Sequence, residues 1–231
     1  DNGISTDNVM VYPDRKSPVS LAFLNEKNDA EYSFYKDYPS LRLDVDMPEV
    51  TSDDIVMFGS FYAITPQLRD KVKELLDKAR KVGAIIYYDV NFRSTHAHEA
   101  IKLMPTILEN FEYADIVRGS TEDFGNMFGI TDADKVYQHK VGFYCPRFIC
   151  TNGGDEICLR TRTISKNYAV PQLETVSTIG AGDNFNAGVI YGILKNDIRR
   201  SDLDKLSEAD WDKIIASGIA FGGNDCTSLD N

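Results

Sequence analysis

The chain has 231 residues, 42% of them hydrophobic and 26% charged, enough for one substantial core with a small appendage. A net charge of −11 argues against nucleic acid or an anionic membrane surface as a partner, because either would need a basic face. No run approaches the roughly 18 apolar residues of a membrane span; the densest, Ala84 to Tyr88, is strand-sized.

Asp1 to Asp14 is polar and turn-rich. Pro18 to Asn25 reads as a strand and Glu31 to Tyr35 as a second, with Glu26-Lys27-Asn28-Asp29 as the hairpin turn between them. From Asp54 onward strand and helix alternate. Ile55 to Phe58 is a short strand ending in Gly59-Ser60, and Thr65-Pro66 supplies an N-cap followed by proline at the first helical position. Leu68, Val72, Leu75, Ala79 and Val82 mark the buried face of that helix, and Gly83 closes it. Ala84 to Val90 is the next strand. A helix follows from about Glu99 to Glu112, with Ile101, Ile107, Leu108 and Phe111 apolar. Ala114 to Val117 is a strand, and Ser120 caps a helix through Met127. Arg147 to Thr151 and Glu156 to Thr161 are strands flanking Asn152-Gly153-Gly154-Asp155, and a last helix runs from about Glu208 to Phe221. This alternation predicts a single α/β domain, a mainly parallel sheet with helices on both faces and a small β layer from the first hairpin.

Cys145, Cys150, Cys158 and Cys226 lack zinc-type spacing. They read as buried reduced thiols of a cytoplasmic protein rather than as disulfides. His96 and His98 sit in a polar run with no third metal ligand nearby and read as a solvated loop.

The densest chemistry lies in Ser177-Thr178-Ile179-Gly180-Ala181-Gly182-Asp183-Asn184-Phe185 and the helix it opens, which reaches about Lys195 with Phe185, Val189 and Ile193 inward. Gly180 and Gly182 allow a tight turn and close approach of a ligand. The free first-turn N–H groups and the helix dipole then form a seat for a phosphate or oxyanion. Asp183 would stand beside that seat and could take a proton from an attacking hydroxyl. By itself the stretch also fits a Gly-rich strand-to-helix turn whose Asp favours the dipole.

Ser177 to Ile190 resembles the C-terminal signature of the ribokinase-like (PfkB) family of sugar and nucleoside kinases at every position except the first, where the family usually has Asp. The resemblance implies a ribokinase-like fold in which the residue 15–40 hairpin is a lid over the sugar and an interface to a second copy. It implies Asp183 as general base, with Gly180, Ala181 and Gly182 as the anion hole. Asp89-Val90-Asn91-Phe92-Arg93 resembles the family's Asp-Pro-Asn-x-Arg, placing Asn91 and Arg93 at the sugar; a loop-fixing Asp89–Arg93 salt bridge is the plainer reading. Gly119-Ser120-Thr121-Glu122 resembles its Asn-x-x-Glu, with Glu122 organising Mg²⁺ through water and Gly119 where Asn is usual; alone it is a capped acidic helix start. Thr151 and Gly153 match the Thr-x-Gly turn that borders the nucleotide. The late helix around Trp211 would wall the adenine, with Ser217 and Gly218 nearby.

The implied function is ATP-dependent phosphorylation of a small-molecule sugar, fructokinase-like in view of Phe58-Gly59-Ser60 and the residue 89–93 loop. No Gly-x-x-x-x-Gly-Lys-Ser/Thr string is present, so P-loop chemistry is not expected. Ser177 weakens the case for a monovalent-cation site. The family domain usually extends roughly 60 to 90 residues further at its N-terminus, which leads us to expect that this sequence is part of a longer molecule. A non-catalytic nucleotide-binding or dimerising relative is the alternative from another class, and a nucleoside kinase is the alternative within the enzymes.

Overall fold

The computed structural model describes residues 3–24, 30–35, 45–173 and 177–227. Strands β1 (Val19–Leu24) and β2 (Ala30–Tyr35) form a separate antiparallel ribbon with Val19 opposite Tyr35. Val19, Leu21 and Phe23 alternate along β1 and are all exposed. The predicted turn at residues 26–29 lies outside the described residues, as does part of the predicted 15–40 lid.

The chain then continues through β3 (Ile55–Gly59), α1 (Arg69–Val82), β4 (Ile85–Asp89), α2 (Ala100–Tyr113), β5 (Ile116–Ser120), α3 (Thr121–Phe128) and α4 (Ala133–His139). It finishes with β6 (Phe148–Asn152), β7 (Glu156–Arg160), β8 (Ser165–Ala169), α5 (Ala181–Lys195) and α6 (Glu208–Cys226). The six strands from β3 lie side by side in chain order. β3 to β6 run parallel, and β7 and β8 add antiparallel at the far side. The predicted α/β class and mainly parallel sheet are therefore found.

Because parallel strands are joined by crossover helices, both their faces are largely covered and their residues are mostly apolar. Every residue of β4 is buried. On one face Tyr88, Val117 and Phe148 pack with Phe111 of α2 and Phe124 of α3. On the other, Tyr87, Ile116 and Ile149 pack with Phe185, Val189 and Ile193 of α5 and with Trp211, Ile214 and Ile215 of α6. The predicted core face of α5 is thus found residue for residue. α5 and α6 approach so closely that a β-carbon on Gly188 would collide with the Ser217 carbonyl oxygen, which explains glycine in mid-helix there despite its low helix propensity.

Several expectations need correction. Thr65 does not cap a helix with its side chain: the hydroxyl donates back to Phe61 O at 2.8 Å, and Pro66–Leu68 forms a 3₁₀ turn before α1 begins. Of the predicted α1 face, Leu68, Val72 and Ala79 are buried and Leu75 packs half-buried against the same core; Leu76 joins them, and Val82 is exposed. Gly83 closes α1 as expected, at φ 83°. Ile101 is 91% exposed on the solvent side of α2, so its apolar character has no packing role among the described residues. His96 is not a solvated loop residue; its ring stacks on Phe61 at 3.8 Å. Two elements were not expected at all. Strand β8 alternates exposed and half-buried positions without an aliphatic run, and α4 is only seven residues long, started by the Asp132 side chain accepting from Lys135 N.

None of the four cysteines is bridged, and Cys145, Cys150 and Cys158 are buried as expected. Burial pushes the Cys145 and Cys150 thiols up to about 12. Among the described residues no helix is long and apolar enough to cross a membrane.

Candidate active site

The carboxyl ends of β4, β5 and β6 carry a polar row on the α5 face: Asp89, Arg118 and Thr151. Parallel sheets leave their ligand crevice beyond these ends. A cleft of about 490 Å³ opens there, lined among others by Arg118, Glu122, Thr151, Gly153, Ala181 and Gly182. Glu122, Thr151, Gly153, Ala181, Gly182 and Gly218, all singled out in the sequence, thus line one cleft, whereas Gly180 and Asp183 do not.

The opening of α5 forms one side of the cleft. Gly180 holds φ 85°, a left-handed turn open to glycine, and no side chain caps the helix behind it. The Ala181 amide donates to Thr178 O at 3.3 Å, and the Asn184 amide donates to Gly180 O at 2.8 Å. Between them come the Gly182 and Asp183 amides, at the positive end of the helix dipole. Asp183 is exposed in that first turn. The α3 and α4 helices are closed instead by side chains: Ser120 and Asp123 form a reciprocal capping box on α3, and Asp132 caps α4. The seat on α5 is open.

On the opposite side, Asn152 O accepts from Asp155 N at 3.0 Å and Gly153 takes φ 51°, so β6 and β7 are joined by a tight turn. Thr121 Oγ1 donates to Asn152 Oδ1 at 3.1 Å, which ties this turn to the start of α3. Glu122 is exposed at the cleft wall, while its neighbour Asp123 is buried and raised above the ordinary carboxylate range chiefly by that burial. The Ser120 reading as a helix cap is found. Gly119 is confined, because a β-carbon there would lie 2.7 Å from the Phe124 ring. A side chain at position 119 would displace that ring.

The residue 89–93 loop adjoins the cleft without lining it. Asp89 pairs with Arg118 at 3.0 Å rather than with Arg93, correcting the plainer sequence reading. Asn91 is half-buried at φ 39° and Arg93 is exposed. Ser60, at the end of the neighbouring β3, is also at positive φ, 56°, with its amide donating to Asp89 O at 3.0 Å. Such conformations cost on the order of 1–3 kcal/mol each and collect at functional sites. Of the two residues expected near a base, Gly218 lines the cleft and Ser217 does not.

Arg118 was missed in the sequence, where it is one charged residue inside an apolar strand. That is itself the signal that could have found it, since an arginine is seldom fully buried without a partner. It is buried, donates to Asp89 Oδ1 at 3.0 Å and to Thr151 Oγ1 at 2.9 Å, and has its Nε without a hydrogen-bond partner.

Among the described residues there is no group of three or more His, Cys, Asp or Glu side chains that could hold a metal on their own. Mg²⁺ is bound by one or two carboxylates with retained waters and substrate phosphates, so the single carboxylate of Glu122, lining the same cleft as the α5 start, fits such an ion.

The sequence matches the family described as pfkB family carbohydrate kinase over residues 1–223. It is 25% identical over 219 residues to the probable chloroplastic fructokinase-6 of Arabidopsis thaliana, covering 90% of this chain and 56% of that protein. It is 23% identical to the aminoimidazole riboside kinase of Salmonella typhimurium, covering 99% of this chain and 69% of that protein. The chain thus spans roughly half to two-thirds of the length of these curated relatives. The fold superposes on the fructokinase of Vibrio cholerae O395 solved with fructose, ADP and calcium, with a TM-score of 0.79 and 17% identity, over 94% of this chain and 70% of that one.

Proposed function

The chain belongs to the pfkB family of carbohydrate kinases, and on that premise we propose that it transfers the γ-phosphoryl group of ATP to a hydroxyl of a fructose-like sugar. The observation that carries this reading is the uncapped start of α5, whose Ala181 and Gly182 line one cleft with Thr151 and Gly153 and whose first turn carries Asp183. In-line phosphoryl transfer asks a protein for positioning and for donors to the charge on the transferred group. Of the expected Gly180, Ala181 and Gly182 amides, that of Ala181 already donates to Thr178 O, and the Gly180 and Gly182 amides supply those donors. Asp183 accepts the proton of the acceptor hydroxyl. Thr151 and Gly153 shape the nucleotide side of the cleft, and Asn91 and Arg93, on the loop that adjoins it, hold sugar hydroxyls. A magnesium ion, when bound, neutralises phosphate charge, and Glu122 is the carboxylate that reaches it through water. No monovalent cation is included, since Ser177 is buried with its hydroxyl accepting from Ile179 N.

The exposed apolar residues of β1 support pairing of two copies through the β1–β2 ribbon. A cytoplasmic location is part of the same proposal, and one relative is named as chloroplastic. The relative that phosphorylates a riboside by name supports a nucleoside-like acceptor as the second reading. A coupled ADP-release assay with ketoses, aldoses, sugar acids and nucleosides decides between them. Turnover with a ketose, lowered about 10²- to 10⁴-fold in Asp183→Asn, is the expected result. Binding of ATP with no turnover on any acceptor would instead make the chain a non-catalytic relative.

A further inference from the structure

Three arginines are buried in the sheet region, and they are not alike. Arg147 donates from Nε to Leu203 O, from Nη1 to Asp115 O and from Nη2 to Asp204. Arg160 likewise uses all three nitrogens, on Asp134 and on the carbonyls of Leu159 and Lys166. Both are structural clamps with every nitrogen matched. Arg118 is as deeply buried, with its side chain 8% exposed, yet its Nε has no hydrogen-bond partner. Buried polar groups are nearly always satisfied, so an unmatched one marks a place where another group belongs.

Its surroundings say which group. Nη1 and Nη2 both lie 3.3 Å from where a β-carbon on Gly182 would stand, so the guanidinium sits directly against the open end of α5. The same two nitrogens hold Asp89, at the head of the residue 89–93 loop, and Thr151, at the head of the turn across the cleft. A planar fork of charged donors matches the oxygens of a phosphoryl group better than any other side chain.

We propose that Arg118 contacts the transferred phosphoryl group, closing the anion seat from the sheet side. This rests on the phosphotransfer reading above. In the step, the acceptor oxygen bonds to the γ-phosphorus as the bond from that phosphorus to the β,γ-bridging oxygen breaks. The electron pair of the broken bond stays on ADP and the hydroxyl proton goes to Asp183. Arg118 keeps its own protons and donates hydrogen bonds throughout.

The test separates the γ-phosphate from the rest of the nucleotide. Wild type, Arg118→Met and Arg118→Lys are titrated calorimetrically with Mg²⁺–ADP and with Mg²⁺–β,γ-imido-ATP. Arg118→Met is expected to lose about tenfold to a hundredfold in affinity for the imido analogue, the scale of one charge-assisted hydrogen bond. Its affinity for ADP should stay within about twofold, and Arg118→Lys, which keeps the charge without the fork, should restore only part of the loss. Arg118→Met also leaves the buried Asp89 carboxylate unpaired. If the single variant does not fold, Asp89→Asn with Arg118→Met removes that charge and is read in its place. Equal losses for both ligands, or none, overturn the proposal alone. A wild-type chain that binds neither nucleotide overturns the phosphotransfer reading together with it.

Discussion

The Tyr87 hydroxyl donates to the side-chain oxygen of Asn186 at 2.9 Å, with both residues fully buried, and so joins β4, the strand beside the β3 edge, to α5 three residues beyond Asp183. Burial also holds the Tyr87 phenol well above its ordinary pKa, so it remains a donor at any working pH. Tyr87→Phe leaves the Asn186 oxygen buried and unmatched, at a cost of about 1–3 kcal/mol. Urea unfolding should record that loss, and Tyr87→Phe combined with Asn186→Leu should regain most of it, because neither partner is then stranded. A single variant as stable as wild type would mean that the contact contributes nothing.

Gly119 and Phe124 exclude each other's growth. A β-carbon at 119 would stand 2.7 Å from the ring, which itself packs at a tilt against Phe148 with 5.2 Å between centroids. Gly119→Asn is therefore expected to destabilise the chain by about 1–3 kcal/mol through overpacking. Gly119→Asn combined with Phe124→Ala should show a smaller loss than the two single changes summed, measured as a double-mutant cycle. Additive losses would place the strain elsewhere.

Local signals carried most of the fold because they need only neighbours in the chain. The Phe185, Val189 and Ile193 stripe, the Gly83 cap and the Ser120 cap depend on spacing within one or two turns. The misses all depend on distant partners. β8 is recognisable only by its antiparallel pairing with β7. α4 is short and charged, and its Asp134 is anchored to Arg160 of β7. Leu76 joins the buried face beside the predicted Leu75, while Val82 and Ile101 face solvent, because what covers a helix residue is decided by tertiary packing rather than spacing alone. The site was legible in the same proportion: the α5 opening and the Thr151–Gly153 turn are motifs of consecutive residues. Arg118 acquires meaning only when Asp89, Thr151 and Gly182, each far away in sequence, converge on it.

Cys226 differs from the other three thiols in lining the cleft while only half-buried. Mild alkylation of the native chain should label Cys226 alone, since burial seals in Cys145, Cys150 and Cys158 and holds them protonated. Saturating Mg²⁺–ADP should slow that labelling about tenfold or more, as expected for a residue covered by a bound ligand. Peptide mass mapping reads both results. Labelling unchanged by nucleotide would put the nucleotide outside this cleft.

Asp134 is held below the ordinary carboxylate range by its hydrogen bonds from Arg160, the nearer at 2.6 Å. A carboxyl whose folded pKa is depressed adds stability above its unfolded value, near pH ~4, and that stability is lost as pH falls through the lower folded value. The pair is partly solvated, so its worth is under about 1 kcal/mol. Thermal melts from about pH 6 down to about pH 2 should therefore show a shallower acid decline in Asp134→Asn than in wild type. Parallel curves would show that the pair does not stabilise α4.

The six strands stand in the sheet in the order in which they are synthesised, each beside the one made just before it. A ribosome releasing this chain can thus lengthen the sheet one rib at a time, with no strand waiting for a later one to be slotted between two earlier ones. The two helices that close the Tyr87–Ile116–Ile149 face come after all six. Until residues 181–226 emerge, that apolar surface lacks the cover that α5 and α6 give it, which is the kind of exposure that favours aggregation during folding. A stop codon in the α5–α6 segment would consequently do more than delete the anion seat. It would leave the β3–β8 sheet permanently half-dressed on that face, prone to aggregation rather than merely inactive.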